Sequence, residues 1–447
     1  MKIHCLPLFA ALTVAATLCG CGESTRLPTG ADVGPRPTLV EPVQTVLPTA
    51  NIAPAKPWRD GQMPTAAAGL QVQAFAAGLD HPRWLAVLPN GDVLVAETNG
   101  PPRPDDAKGI KGWVMGKVMA RAGAAVPSPN RIMLLRDADG DGRAEVREIF
   151  LQGLNSPFGM ALVGDRFYVA NTDAVLEFAY APGQTTLAGP GRKLTDLPAG
   201  TINHHWTKSL IASPDGSKLY ATVGSNSNVA ENGIAAEDGR AAIWEIDRAT
   251  GSKRLFATGL RNPNGMAWMR SPGGGAPVLW TVANERDEIG SDLVPDYLTS
   301  VRDGGFYGWP YSWYGQHVDV RAQPQQPELV ARAIAPDYAL GAHVAALGLT
   351  AAGSSALAGL QPGGSAEGVF IGLHGSWNRK PHAGYKVVYV PFADGRPKGQ
   401  PVDVLTGFLS PEGDARGRPV GVAIDAKGAL LVADDVGNAI WRVTPAR

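Results

Sequence analysis

Two histidines stand side by side in Asn203-His204-His205-Trp206-Thr207-Lys208, next to an indole and a cation. Imidazole is the side chain whose ordinary pKa lets it take or release a proton near neutral pH. Adjacent side chains on extended chain face opposite ways, so one of the two is expected to reach a shared pocket. A second group, Gly259-Leu260-Arg261-Asn262-Pro263-Asn264-Gly265, offers a guanidinium and an amide, and further cations occur at Arg379, Lys380, Arg416 and Arg418. Guanidinium groups bind planar carboxylates through paired N–H bonds. Brought to one mouth, these groups would make an electropositive pocket in a chain that is neutral overall, with 40 Lys and Arg against 41 Asp and Glu. That balance supplies no attraction for nucleic acid.

A third candidate is acidic. Asp137, Asp139, Asp141 and Glu148, with Gly142 between, match the spacing of a twelve-residue calcium loop. Its flanks, 132–136 and 146–150, read as strands, which predicts a calcium-clamped hairpin and not a helical sensor.

The elements that must position these groups are short. Hydrophobic residues make up 44% of the chain and charged ones only 18%, with 55 Gly and 37 Pro, which excludes a disordered or coiled-coil chain and favours an all-β body. One phrase recurs: a Pro or polar turn, an apolar strand, an Asn/Asp-Gly hairpin, and a second apolar strand ending in a polar residue. Copies begin near His81, Ser156, Thr207, Asn262, Gly348 and Arg418. Spacing of roughly 63 residues per unit predicts a six-bladed β-propeller. The long gaps at 100–129 and 285–343 are where a site would be built.

Residues 1–21 read as a secretory signal, with Lys2, an apolar run from Leu6 to Leu18, and a Leu18-Cys19-Gly20-Cys21 ending that resembles a bacterial lipobox. All three cysteines lie there, so no disulfide, thiolate or Cys-based metal site is expected downstream, and no covalent haem. Cys21 is the expected lipidation site. It would anchor the protein in the bacterial cell envelope, facing the periplasm, with Gly22 favouring the outer membrane. Residues 22–68 are expected to form a Pro-rich flexible tether, with an extended strap anchored by Trp58 as the alternative. The propeller is expected over 69–447.

From Asn203 to Leu210, Gly259 to Gly265, Asn284-Glu285-Arg286-Asp287-Glu288-Ile289-Gly290 and Gly305-Phe306-Tyr307-Gly308-Trp309-Pro310, the chain resembles the glucose/sorbosone dehydrogenase family. His374-Gly375-Ser376-Trp377-Asn378-Arg379 and the segment starting at His343 look closest to the sorbosone branch. The resemblance implies a propeller that binds pyrroloquinoline quinone (PQQ) and Ca2+ and oxidises an aldose or related aldehyde. It implies His205 as general base and Arg261, which also counts as catalytic, with Asn262 against the quinone. It further implies Arg418 on a cofactor carboxylate, Lys208, Arg379 and Lys380 as further cofactor contacts, and Glu285 and Asp287 near an active-site calcium. Electrons would pass to a separate acceptor, a cytochrome or the quinone pool. The competing readings are a calcium-dependent lactonase and a non-catalytic propeller that binds a ligand or partner.

Overall fold

The computed structural model describes residues 22–45, 49–102, 105, 116–117, 119–357, 359 and 367–446. Each copy of the repeated phrase forms the first antiparallel hairpin of one blade, because alternate apolar side chains face the neighbouring blades while the Gly-containing turn reverses the strand. At the Asn90-Gly91 turn Gly91 has φ 91°, a conformation that glycine adopts without strain.

Six sheets follow in order. Blade one contains Pro82–Val87, Val93–Glu97, Arg131–Arg136 and Val146–Gln152. Blade two contains Met160–Val163, Arg166–Ala170, Ala174–Ala179 and Arg192–Asp196. Leu210–Ala212, Lys218–Val223, Ala242–Asp247 and Lys253–Thr258 make blade three, and Asn262–Met269, Val278–Asn284, Pro295–Ser300 and Tyr338–Ala342 make blade four. Blade five is Ala346–Ala351, Gly368–Leu373, Lys386–Ala393 and Val402–Thr406. The last blade joins Pro419–Ile424, Leu430–Asp434 and Ala439–Pro445 to the early strand Leu70–Ala77, which closes the ring.

First strands of successive blades touch in a closed cycle around the axis. Between each pair of blades lies one apolar core, such as Leu94, Ile132 and Phe150 against Met160 and Phe167, or Phe370 and Tyr389 against Val422 and Val443. A seventh cluster of Trp84, Phe158, Trp206, Leu347 and Val420 draws one residue from each of five blades or their entries and sits at the axis.

Neighbouring strands within a blade are antiparallel. Residues just before a first strand and just after a second strand therefore gather at one end of the torus, called here the mouth. His205, Arg261 and Arg418 meet the first condition, and Asp287, His374 and Asp435 the second, while Arg83 is the second residue of a first strand at the same end. The turn 137–145 joins the third and fourth strands of blade one, so it lies at the opposite end.

The N-terminal segment differs from the flexible tether expected for residues 22–68. The described part runs as an extended strap along the mouth-end loops of blades four, five and six. Val33–Gly34 pairs with Tyr338–Ala342, and Thr65–Ala66 with Val402–Thr406. Asp292 accepts the Arg26 N–H at 2.7 Å and Thr49 O accepts from the Asn378 amide at 2.5 Å. Trp58 packs edge-on to Phe408 and Trp441. Prolines fix the extended conformation, and blade loops satisfy the main-chain groups that a tether would leave to water. Residues 1–21, where the secretory signal and the lipidation site Cys21 are expected, lie outside the described residues.

Candidate active site at the mouth

His205 enters blade three two residues after Asn203, whose φ of 39° turns the chain toward the axis. The imidazole Nδ1 lies 2.9 Å from Ser225 O and 3.0 Å from Ser225 Oγ. A carbonyl only accepts, so Nδ1 carries the proton in that bond and the basic lone pair is on Nε2. The His204 ring stands perpendicular to it, with centroids 4.8 Å apart. Asn262 shares this corner: its Nδ2 donates to Asn284 Oδ1 at 3.2 Å, while its buried Oδ1 has no hydrogen-bond partner among the described residues. A Cβ on Gly224 would stand 2.4 Å from that Oδ1 and 2.5 Å from the His205 Cβ, so only glycine permits this approach.

Arg261 is buried and committed to protein groups. It donates to Glu285 O at 2.6 Å, Asn228 O at 3.2 Å, Asn228 Oδ1 at 3.1 Å and Asp287 Oδ2 at 2.9 Å. Asp287 Oδ1 receives His343 Nδ1 at 3.1 Å. Burial alone would raise the Asp287 carboxyl, but Arg261 and His343 outweigh it and hold it low. Arg261 thus frames the corner beside His205 and Asn262.

On the other side of the mouth, one guanidinium and two imidazoles surround a single carboxylate, with a second guanidinium nearby. Asp435 Oδ2 accepts from Arg83 Nη1 at 2.6 Å and from His374 Nε2 at 2.9 Å, with His81 Nε2 at 3.8 Å. Arg418, 5% exposed, forms no ion pair among the described residues; its Nη2 reaches Ala53 O at 3.4 Å, and its guanidinium lies 4.9 Å from the Tyr385 ring centroid. Burial would raise Asp435, yet His374, Arg83 and His81 hold it far below the usual carboxylate range. Burial pushes His374 down to about 4. Four buried polar atoms here have no hydrogen-bond partner among the described residues: Arg83 Nε, Arg418 Nε, His81 Nε2 and Asp435 Oδ1. Such atoms are costly unless a ligand meets them. Trp206, adjacent to His205, lies 5.8 Å from the Arg83 guanidinium and links the two sides.

The remaining expected residues are placed as follows. Arg379 donates to Asp32 Oδ2 of the strap at 2.8 Å and to Ala342 O at 3.3 Å. Lys380 is exposed, and its carbonyl accepts the Thr25 N–H. Lys208 is fully buried with its Nζ 3.1 Å from Trp206 O, and burial, aided by Arg240, pushes its ammonium well below its ordinary range. Glu285 faces the interior, accepting the Arg286 N–H at 2.9 Å and the Tyr314 N–H at 3.4 Å, and burial pushes it up to about 7. Neither Glu285 nor Asp287 offers an uncommitted carboxylate, so this pair does not fit a calcium site.

At the opposite end, Asp137, Asp139, Asp141 and Glu145 bring ligand atoms within 4.8 Å of one another. Glu148 is not among them; it is exposed on the strand opposite Leu134. Lys427 Nζ lies 2.9 Å from Asp137 Oδ2. Sequence reasoning missed His81, Arg83 and Asp435. Their signal was positional, because each occupies the mouth end of a repeat hairpin.

Residues 131–296 and 321–446 match a family model described as TrAA12-like. A Trichoderma reesei protein of carbohydrate-active enzyme family AA12 superposes with a TM-score of 0.68 at 19% identity, over 89% of this chain and 99% of that one. The holo form of the pyranose dehydrogenase PQQ domain from Coprinopsis cinerea gives 0.66 at 21% identity, over 88% and 100%. A PQQ-bound aldose sugar dehydrogenase from Streptomyces coelicolor gives 0.52 at 16%, over 85% and 100%. At these identities the likeness to solved structures establishes the propeller.

Proposed function

Since the chain belongs to the TrAA12-like family, we propose that it is a quinoprotein dehydrogenase that uses PQQ to oxidise an aldose or related aldehyde, in the manner of sorbosone, to a lactone or acid. The observation that carries this reading is the pair of arginines from blades six and one whose buried Nε atoms lack hydrogen-bond partners among the described residues, at the same end as His205. PQQ carries three carboxylates, and buried guanidiniums with an Nε donor still to be met are suited to such groups. Arg83, Arg418 and His374 would hold it, and Asn262 Oδ1 would meet a donor at the opposite edge.

Bound at the mouth, PQQ would supply a hydride acceptor. The chain's own residues do the rest. Ser225 fixes the His205 tautomer, so that Nε2 takes the proton from the sugar hydroxyl as the adjacent carbon is oxidised. Arg261, locked by Asn228, Glu285 and Asp287, keeps that corner rigid. His374, held neutral by burial, orients on Asp435. Calcium is assigned to the far-end turn, where it would clamp a hairpin.

The test is to add PQQ and calcium to purified protein and follow dye reduction across a panel of aldoses. His205→Ala is expected to bind the quinone normally and lose turnover by about 10²–10⁴-fold. No absorbance change on titration, with no turnover on any sugar, would remove the reading. A lactonase would need uncommitted carboxylates at the axis, and both Asp287 and Asp435 are ion-paired.

The reading includes acylation at Cys21 and an envelope location facing the periplasm, with electrons leaving to a separate carrier. Glu23 O accepts from Ser291 Oγ at 2.6 Å, so the described strap starts at the mouth end. Incorporation of labelled palmitate, lost in Cys21→Ser, checks the anchor.

A further inference from the structure

Arg418 is held by its own blade and by the N-terminal strap together. Its main-chain N–H donates to Asp434 Oδ1 at 2.8 Å. The same oxygen accepts Gly437 N–H at 2.8 Å, while Oδ2 accepts Trp441 Nε1 at 3.0 Å and Trp58 Nε1 at 2.8 Å. Four donors thus converge on a fully buried carboxylate, and one of them comes from the strap. The approach is possible because residues 417 and 437 are glycines; a Cβ on either would stand 2.2 Å from Asp434 Oδ2.

The strap also reaches the guanidinium, through Ala53 O. Ala53 is fully buried, and its neighbours lock onto the segment that leads to Arg418: Ala415 N–H donates to Pro54 O at 2.8 Å, and Lys56 N–H to Ala415 O at 2.8 Å. Trp58 itself stands edge-on to Phe408 and Trp441, with centroids 5.7 Å away in each case. A guanidinium recognises a carboxylate through a fork of fixed direction, so the aim of Arg418 matters as much as its charge.

We propose that Trp58, acting through Asp434, and the main chain at Ala53 are positioning elements of the mouth: the N-terminal strap aims the unpartnered Nε of Arg418 at an incoming carboxylate. The identity of that carboxylate rests on the quinone reading; the positioning does not. Trp58→Phe keeps a ring against Phe408 and Trp441 and removes only the N–H donor. Asp434→Asn breaks the same bond from the other side while Oδ1 still receives the Arg418 N–H.

In full-length protein, each variant is expected to weaken PQQ binding about tenfold by absorbance titration. In both, the Arg418 Nε–H nitrogen resonance, identified by its loss in Arg418→Lys, should move. Adding Trp58→Phe to Arg418→Lys should cost nothing further, since the two act on one contact. Unchanged affinity with an unmoved resonance in Trp58→Phe, or fully additive losses in the double variant, would overturn the proposal. A moved resonance in a protein that binds no PQQ would sink the cofactor reading and leave the positioning intact.

Discussion

Arg83 reaches Asp435 with Nη1 at 2.6 Å while its Nε, also buried, has no hydrogen-bond partner among the described residues. One end of the guanidinium is anchored and the other is presented, which is the arrangement of a receptor and not of a structural ion pair. Arg83→Lys can keep one bond to Asp435 but cannot present the second donor. PQQ affinity is expected to fall about tenfold by absorbance titration, with little change in Tm. Unaltered affinity would show that the mouth is filled by something other than a carboxylate ligand.

Gly224 sits where a methyl group would press on both His205 and Asn262. Gly224→Ala is therefore expected to displace the base by a fraction of an ångström and lower kcat by about 10²-fold. Circular dichroism should remain that of the parent, separating misplacement from unfolding.

Burial raises Glu285 from its ordinary 4.5 to about 7. The folded protein then binds a proton that the unfolded chain has released, so this group's contribution to stability is present below pH 4.5 and is lost as pH rises to about 7. Glu285→Gln should flatten the pH dependence of chemical denaturation in that window, by on the order of 1–3 kcal/mol. An identical slope in both proteins would place the titration elsewhere.

Lys427 competes with any cation at Asp137. In Lys427→Ala, calcium affinity measured by titration calorimetry is expected to rise several-fold, because one positive charge leaves the loop. Turnover should not follow, since the loop lies at the end of the torus away from His205.

Much of the architecture could be read from the chain because its turns and alternation are local. The six hairpins starting near His81, Ser156, Thr207, Asn262, Gly348 and Arg418 correspond to six blades. The electropositive corner was harder to see. Arg83 and Asp435 are 352 residues apart in sequence and meet because the ring closes blade six against blade one. The fate of Arg379 was hidden for a related reason: its partner Asp32 belongs to a proline-rich stretch whose composition reads as unstructured. Glu285 looked like a ligand by type, but main-chain donors at Arg286 and Tyr314 had already claimed it.

The pairing of Leu70–Ala77 with Ala439–Pro445 also sets an order of events. During synthesis the first strand of the body waits for the final residues before it has a neighbour, and contacts this distant in sequence form slowly. Trp58 finds Trp441 only after that clasp shuts. Loss of a handful of C-terminal residues would accordingly strip Leu70–Ala77 of its partner strand, leaving five complete blades with an open seam beside Arg83.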